Sequence, residues 1–225
     1  MRASMRQRVR IDLQKRRDWK AVPEICLSRL PDIEMSQKKL GAVPAVFPMP
    51  VLMVAAYDDN GVVNVMNAAW GMTCAMDKIA LFINKDHKTT QNIRATRAFT
   101  VAIADVAHMM EADFFGIATG NKMPDKFSRS GLMAVKSEVV NAPVIDAFPV
   151  TMECELLEII ETENVYQVVG RVVNVLADES VLEDNGKVSP EKIHALIFDQ
   201  FRSGYYALGE KVGQAWNAGK PLMTK

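Results

Sequence analysis

The chain has 225 residues, of which 49% are hydrophobic, and its 27 basic side chains balance 27 acidic ones. These values indicate one globular domain, with or without an appendage, and exclude an overall charge bias toward nucleic acid or anionic membranes. Three scattered cysteines exclude a disulfide framework and a CxxC zinc site. We expect a cytoplasmic protein, because no apolar run approaches a membrane span and the cysteines suit a reducing compartment.

The first 34 residues are rich in arginine and lysine and carry few acidic side chains. Such a start is typical of a nucleic-acid-binding arm or of an organelle-targeting segment. A third interpretation is an upstream start codon, with Met35 as the natural beginning of the domain. We favour the third and divide the chain into a basic extension, residues 1–34, disordered or a mis-assigned start, and a domain over residues 35–225.

Short strands dominate the pattern that follows. The apolar run 51–57 predicts a buried strand, Asn60-Gly61 predicts a hairpin turn, and residues 62–67 return as the second strand. Further strands are predicted over residues 79–83, 98–103, 150–160, 165–176 and 205–208.

Helical patterns are fewer and shorter. A hydroxyl at Thr89 or Thr90 is predicted to cap the first helix, and Ser189 the last one, which begins with Pro190. Gly120 is predicted to stop the second helix. Many short strands with few helices predict a mainly β fold built around a small barrel. The predicted helices cover residues 89–95, 106–117, 125–129 and 190–196.

The segment 85–92 joins a strand end to a helix start and gathers lysines, hydroxyls and free backbone N–H groups. A phosphate suits such a turn, because helix N-termini and charge-assisted hydrogen bonds stabilise anions. The alternative is a solvated turn with an N-cap threonine, and the residues alone leave both open. The candidate phosphate-binding residues are Lys85, His87, Lys88, Thr89 and Asn92.

Before that turn in the chain, small and polar residues occupy positions where a core strand ordinarily has large apolar side chains. A flat ring could lie against this backbone beside Trp70, although most tryptophans pack in cores. A flat ring-binding surface followed by a phosphate-binding turn predicts a mononucleotide ligand, with FMN as the first choice. The thiol of Cys74 is predicted to pack as a small buried hydrophobe without a redox role. The candidate ring-contacting residues are Asn64, Asn67, Ala68, Ala69, Trp70, Gly71 and Cys74.

A series of motifs in chain order resembles the flavoredoxin branch of the flavin reductase-like proteins. The resemblance covers nearly all of residues 35–225 and none of residues 1–34. It implies a Greek-key FMN-binding split barrel and favours the phosphate interpretation at Thr89 and Asn92. It also adds Lys126, Phe127, Gln167 and Phe201 as cofactor contacts. The residues that carry it are 39–42, 48–52, 67–71, 89–93, 111–116, 125–127, 148–150, 205–210 and 219–220.

The resemblance further implies a flavin-dependent oxidoreductase. NADH or NADPH would reduce FMN, and the reduced flavin would pass electrons to an acceptor, which can be a protein. We expect no essential acid, base or metal ligand from the chain, because the flavin carries the chemistry. We also expect a homodimer whose interface borders the cofactor.

Two alternatives differ in class. The first is a non-enzymatic FMN-binding electron carrier that a protein partner reduces. The second is a nucleic-acid-binding small barrel, which we disfavour because the body of the chain has no stripe of alternating aromatic and basic residues.

Overall fold

A computed structural model describes residues 37–224 of the chain. Contacts between Cα atoms divide the chain into two units, Met1–Pro44 and Ala45–Lys225. In the first unit, the described residues 37–44 are exposed and form no helix or strand. The predicted extension, residues 1–34, lies outside the described residues. All elements below belong to the second unit.

The second unit is built on short antiparallel strands, as the sequence predicts. The strands are β1 (Met49–Pro50), β2 (Leu52–Tyr57), β3 (Val63–Ala68), β4 (Gly71–Ala75), β5 (Lys78–Asn84), β6 (Ala98–Ile103), β7 (Ala134–Lys136), β8 (Pro143–Ile145), β9 (Val150–Glu161), β10 (Val165–Ala177), β11 (Leu196–Asp199) and β12 (Gly204–Ala207). The α-helices are α1 (Lys88–Thr96), α2 (Met109–Ile117), α3 (Lys126–Arg129) and α4 (Pro190–Ile193), and 3-10 turns cover Glu179–Val181 and Lys220–Thr224. No helix of the described residues is long and apolar enough to cross a membrane.

Seven strands form the main sheet, in the order β3-β2-β6-β9-β10-β5-β4. The two edge strands, β3 and β4, follow each other in the chain but do not pair. The barrel is therefore split along this edge, which confirms the predicted split-barrel fold. Two small sheets, β1-β11-β12 and β7-β8, complete the unit.

The hairpin of β2 and β3 shows how local chemistry sets the register. Gly61 adopts the positive φ of 77° that the turn needs, and glycine does so without steric penalty. The carboxylate of Asp58 accepts hydrogen bonds from the backbone N–H groups of Asn60 and Val62, both at 2.9 Å. The turn pairs Tyr57 with Val63, and this register places Asn64 opposite Ala56.

Two apolar clusters stabilise the barrel and the helix α2 on its outer face. The inner cluster fills the barrel with side chains such as Leu81, Phe99 and Val168. A second cluster packs α2 onto the outer face of β2 and β3 through residues that include Met53 and Phe115. Burial of each large apolar side chain contributes about 1.5–3 kcal/mol. This packing fixes α2 beside the split edge.

Two predicted helix starts are wrong. The N-cap of α1 is His87, which makes no side-chain capping bond, whereas Thr89 and Thr90 lie inside the helix and are buried. The second helix, predicted over residues 106–117, begins only at Met109, and it exposes Met110 and Ile117.

Other differences lie after β3 and in the last third of the chain. Residues 71–75, for which no strand was predicted, form strand β4 because they pair with β5. Helix α4 ends at Ile193, and Leu196, predicted to be helical, starts β11. Ser189 occupies the predicted N-cap position, but its side chain makes no capping bond.

Candidate functional site

A small cavity lies at the split edge of the barrel, where β3 meets the start of α1, the end of α2 and the loop after it. Its volume is about 70 Å³. This is room for a few water molecules, so the cavity accepts a small group and not a tricyclic ring. The lining residues are Asn64, Met66, Asn67, His87, Lys88, Thr89, Phe115, Gly116, Ile117, Ala118, Thr119, Gly120 and Lys126.

Lys126 gives the cavity a buried positive charge. Its residue surface is only 2% exposed, and its ammonium group donates a hydrogen bond to the carbonyl oxygen of Ala118 at 3.0 Å. Burial lowers the pKa of Lys126 to about 8. Among the described residues, no carboxylate forms an ion pair with it. A buried ammonium without a counter-ion is unfavourable, so the site is complementary to an anion.

The start of α1 adds further attraction for negative charge. This helix of nine residues has no acidic side chain in its first turn, and His87 leaves its first N–H groups uncapped by a side chain. The partial positive charge of a helix N-terminus stabilises an anion there. Partial burial, and then the charge of Lys126, lower the pKa of His87.

A hydrogen bond between two strongly buried side chains connects the sheet edge to α1. The side-chain nitrogen of Asn64 donates to the hydroxyl oxygen of Thr89. Because this oxygen already accepts a hydrogen bond from Asn64, the hydroxyl proton of Thr89 is available to an acceptor in the cavity. Thr89 therefore provides a donor beside the ammonium group of Lys126.

The loop after α2 forms one wall of the cavity, and the sequence analysis did not predict this wall. A Cβ atom on Gly120 would stand 2.3 Å from Oδ1 of Asn64 and 3.1 Å from Cβ of Lys88, so only glycine allows this close approach. The signal in the sequence is Gly120 itself, which we assigned only to a helix stop. Its partners are far away in the chain, and the sequence alone does not show them.

The cavity brings together six of the predicted contact residues: Asn64, Asn67, His87, Lys88, Thr89 and Lys126. Two other predicted phosphate ligands lie outside its lining. Lys85 forms an ion pair with Glu161 at 2.6 Å, and Asn92 is buried with its side-chain nitrogen unpartnered. Phe127 also lies outside the lining and stacks on Phe115, with ring centroids 6.3 Å apart.

The predicted ring contacts follow the split edge away from the cavity. Ala68 ends β3, with Ala69 next to it, and Trp70 is 52% exposed between β3 and β4 and so is not a core residue. The backbone at Gly71 approaches Leu52 and Leu81 closely, since an added Cβ would lie 2.7 Å from each side chain.

Three predicted contacts lie further from the cavity lining. The prediction of a buried Cys74 thiol is wrong, because the residue is exposed on β4. Gln167 lies on β10 opposite Phe82, and Phe201 is exposed after β11. The assignment of these residues to the cofactor stays a prediction.

Fold and site together define a split-barrel protein with a cavity that is complementary to an anion. Residues 45–205 match the model of the flavin reductase like domain. The chain is similar to the flavoredoxin of Desulfovibrio vulgaris (Miyazaki F), with 36% identity, coverage of 81% of this chain and 99% of that chain, and a TM-score of 0.78. For the flavoredoxin of Methanosarcina acetivorans the identity is 25%, the coverage 84% and 100%, and the TM-score 0.77.

An uncharacterized protein of Aeropyrum pernix is 29% identical over 115 residues. That alignment spans 50% of this chain but only 43% of the relative's length. The family match covers most of the chain, as the resemblance predicted. The chain belongs to the flavin reductase-like family.

Proposed function

We propose that this protein is an FMN-binding oxidoreductase that takes reducing equivalents from NADH or NADPH and passes them to an acceptor. The observation that carries the FMN-binding part of the proposal is the buried ammonium group of Lys126, which has no carboxylate partner among the described residues and shares its cavity with the uncapped start of α1. Family membership supports a flavin as the ligand. The anion site favours a flavin that carries a phosphate.

The residues of the cavity fit a phosphate monoester. Lys126 would supply the charge, Thr89 a hydroxyl donor, and the first turn of α1 backbone N–H groups. A phosphate monoester carries close to two negative charges at pH 7, and hydrogen bonds to charged groups contribute about 1.5–3 kcal/mol each. The ring, which the cavity cannot hold, would lie along the split edge beside residues 67–71.

A bound flavin would supply the redox chemistry. The chain binds and orients it, and we assign no residue the role of essential acid or base. The thiol of Cys74 is exposed, and the other cysteine of the described residues, Cys154, is buried. Cys74→Ala should therefore leave the flavin affinity and the rate of flavin reduction near their wild-type values.

An absorbance spectrum and two titrations test the binding proposal. We expect the purified protein to show bound flavin absorbance, and the flavin-free protein to bind FMN at least ten-fold more tightly than riboflavin, which lacks the phosphate. Equal affinity for the two flavins would place the phosphate outside this cavity. A folded protein that binds neither would refute the proposal.

The alternative function is a non-enzymatic electron carrier with the same cofactor. Both functions need the same FMN site, so the site does not separate them. Stopped-flow mixing of the FMN-loaded protein with NADH or NADPH does. Rapid bleaching of the flavin absorbance supports the enzyme, and its absence with both nucleotides supports a carrier that a protein partner reduces.

We further infer a homodimer, located in the cytoplasm. The segment after β12 carries large apolar side chains with almost no cover from the described residues: Val212 is 102%, Trp216 96% and Met223 84% exposed. A second copy of the chain would bury these side chains. We choose a second copy as the partner because most soluble oligomers are symmetric dimers. Light scattering tests this inference, and a monomer that holds FMN tightly would contradict it.

A further inference from the structure

Two residues outside the cavity lining, Asp113 and Tyr205, belong to a series of polar contacts that reaches Asn67. The hydroxyl of Tyr205, on β12, donates to Oδ1 of Asp113 at 2.9 Å. Asp113 follows Ala112 in α2, and the carbonyl oxygen of Ala112 accepts a hydrogen bond from Nδ2 of Asn67 at 3.0 Å. The side chain of Asn67 lowers the pKa of Tyr205, as a hydrogen-bond donor to the phenol oxygen does. These contacts connect β12, α2 and β3 beside the cavity.

The chemistry of these groups fixes the direction of each hydrogen bond. A carboxylate only accepts, so the hydroxyl of Tyr205 donates to Asp113 and its oxygen accepts from Asn67. The carbonyl oxygen of Ala112 also only accepts. Both contacts thus require the NH2 end of the Asn67 amide. Burial, and then the hydrogen bond to Asp113, raise the pKa of Tyr205 to about 12, so Tyr205 keeps its proton at neutral pH.

The remaining polar atom of Asn67 is its carbonyl oxygen Oδ1. Among the described residues, none donates a hydrogen bond to this atom, and Asn67 lines the cavity. Asn67 therefore offers the cavity an acceptor and no donor. Its partner must be a donor, which excludes a phosphate oxygen and a ring carbonyl oxygen.

We propose that Asp113 and Tyr205 are positioning residues that orient Asn67 to accept a hydrogen bond from a hydroxyl of the cofactor's polyol chain. The proposal rests on the proposed function. Asn67 lies three residues beyond Asn64 on β3, about 10 Å along the strand. In FMN, the carbon chain between the phosphate and the ring carries the hydroxyl groups. A site with the Thr89 hydroxyl bonded to Asn64 and its acceptor further along β3 matches that order.

The test compares two ligands that differ only in these hydroxyls. They are FMN and an analogue in which a plain pentyl phosphate chain replaces the ribityl phosphate chain. Tyr205→Phe should weaken FMN binding by about three- to ten-fold, the range for one neutral hydrogen bond, and leave the affinity for the analogue unchanged. Asp113→Asn should weaken only FMN and by a smaller factor, because an amide can donate as well as accept.

Tyr206→Phe is the matched control. Tyr206 is the next residue of β12, and its hydroxyl accepts from Arg202 at 2.9 Å. This variant should bind both ligands like the wild type. Thermal unfolding of all variants shows whether a loss of affinity reflects a loss of folded protein.

The outcomes distinguish failure of the Asn67 inference from failure of the proposed function. If Tyr205→Phe and Asp113→Asn weaken FMN and the analogue equally, the partner is a ring N–H group or the network is only structural, and this inference is wrong. Unchanged FMN affinity in both variants also overturns it. Failure of the folded wild-type protein to bind FMN would instead overturn the proposed function, and this inference with it.

Discussion

Asn64 and Thr89 share a buried hydrogen bond in which the amide nitrogen of Asn64 donates to the hydroxyl oxygen of Thr89. Asn64 lies on the edge strand β3, and Thr89 lies in the first turn of α1. The bond therefore joins the open edge of the sheet to the helix that begins the anion site. Thr89 belongs to this connection and does not cap its own helix.

Thr89→Val removes this hydroxyl and keeps the shape of the side chain. We expect FMN binding to weaken by about ten- to a hundred-fold, the equivalent of one charge-assisted hydrogen bond, while riboflavin binding hardly changes. Stability should fall by about 1–3 kcal/mol, because the amide of Asn64 loses its buried partner. Titration calorimetry with both flavins measures the first effect, and thermal unfolding measures the second.

Thr90→Val is the control for that experiment. Thr90 is equally buried, but its hydroxyl donates to the backbone carbonyl of Asn84 at 2.8 Å and does not line the cavity. This variant should lose stability without a change in FMN affinity. An equal loss of riboflavin and FMN binding in Thr89→Val would show that Thr89 is only structural.

The FMN affinity should depend on pH through the charge of Lys126. The second pKa of a phosphate monoester is about 6, and burial lowers the pKa of Lys126 to about 8. We expect the FMN affinity to be highest between these values and to fall by up to about ten-fold per pH unit above 8, as the free protein loses the charge of Lys126. Riboflavin affinity should stay flat, and Lys126→Met should remove the decline above pH 8.

The contribution of Lys126 to the stability of the flavin-free protein should rise with pH, whereas the FMN affinity falls. Lys126 has a folded pKa of about 8 against an ordinary value of 10.5, so between these pH values the unfolded chain binds more protons at this side chain. Its contribution to the free energy of unfolding therefore rises with pH across that window. Denaturant unfolding of wild type and Lys126→Met over the window measures it. A contribution that falls with pH would show that Lys126 already has an anionic partner.

Gly120→Ala should damage the site and leave the barrel intact. The new Cβ would lie 2.3 Å from Oδ1 of Asn64, so Asn64 or the loop must move. We expect FMN affinity to fall at least ten-fold with a folded far-ultraviolet spectrum. Gly116→Ala is the control, because its Cβ would make an ordinary 3.5 Å contact with Asn67. Similar losses in both variants would contradict the special role of Gly120.

A chain that starts at Met35 should bind FMN as the full chain does. Every cavity residue and every strand of the described residues follows this position. Expression of both forms and comparison of their flavin content tests the boundary. An insoluble or flavin-free short form beside a yellow full-length protein would show that residues 1–34 belong to the domain.

The sequence predicted most of the main sheet, because alternating and continuous apolar runs are local signals. Strands β2, β3, β5, β6, β9 and β10 appear where the pattern indicates them. Strand β4 was missed because four of its five residues, Gly71, Thr73, Cys74 and Ala75, are small, and only pairing with β5 makes them a strand. The sequence does not identify the buried face of α2, because apolar residues surround this helix.

The candidate site was predictable where its residues share one turn. His87, Lys88 and Thr89 follow one another, and their residue types alone left an anion site and a solvated turn open. The burial of Lys126 depends on its packing near Phe115 and Ala118, which no local pattern shows. Its assignment came from the family resemblance. The wall at Gly120 depends on contacts with Asn64 and Lys88 and was not predicted.

The central position of the long β9–β10 hairpin has a consequence for folding order. These strands pair with each other through a turn over residues 162–164, and they also pair with β6 on one side and β5 on the other. A local hairpin loses little entropy on closure, so we expect it to form early and its amides to exchange most slowly with solvent. The edge strands β3 and β4 should open at lower free energy. A ligand at the split edge would slow hydrogen exchange where the free protein opens most readily.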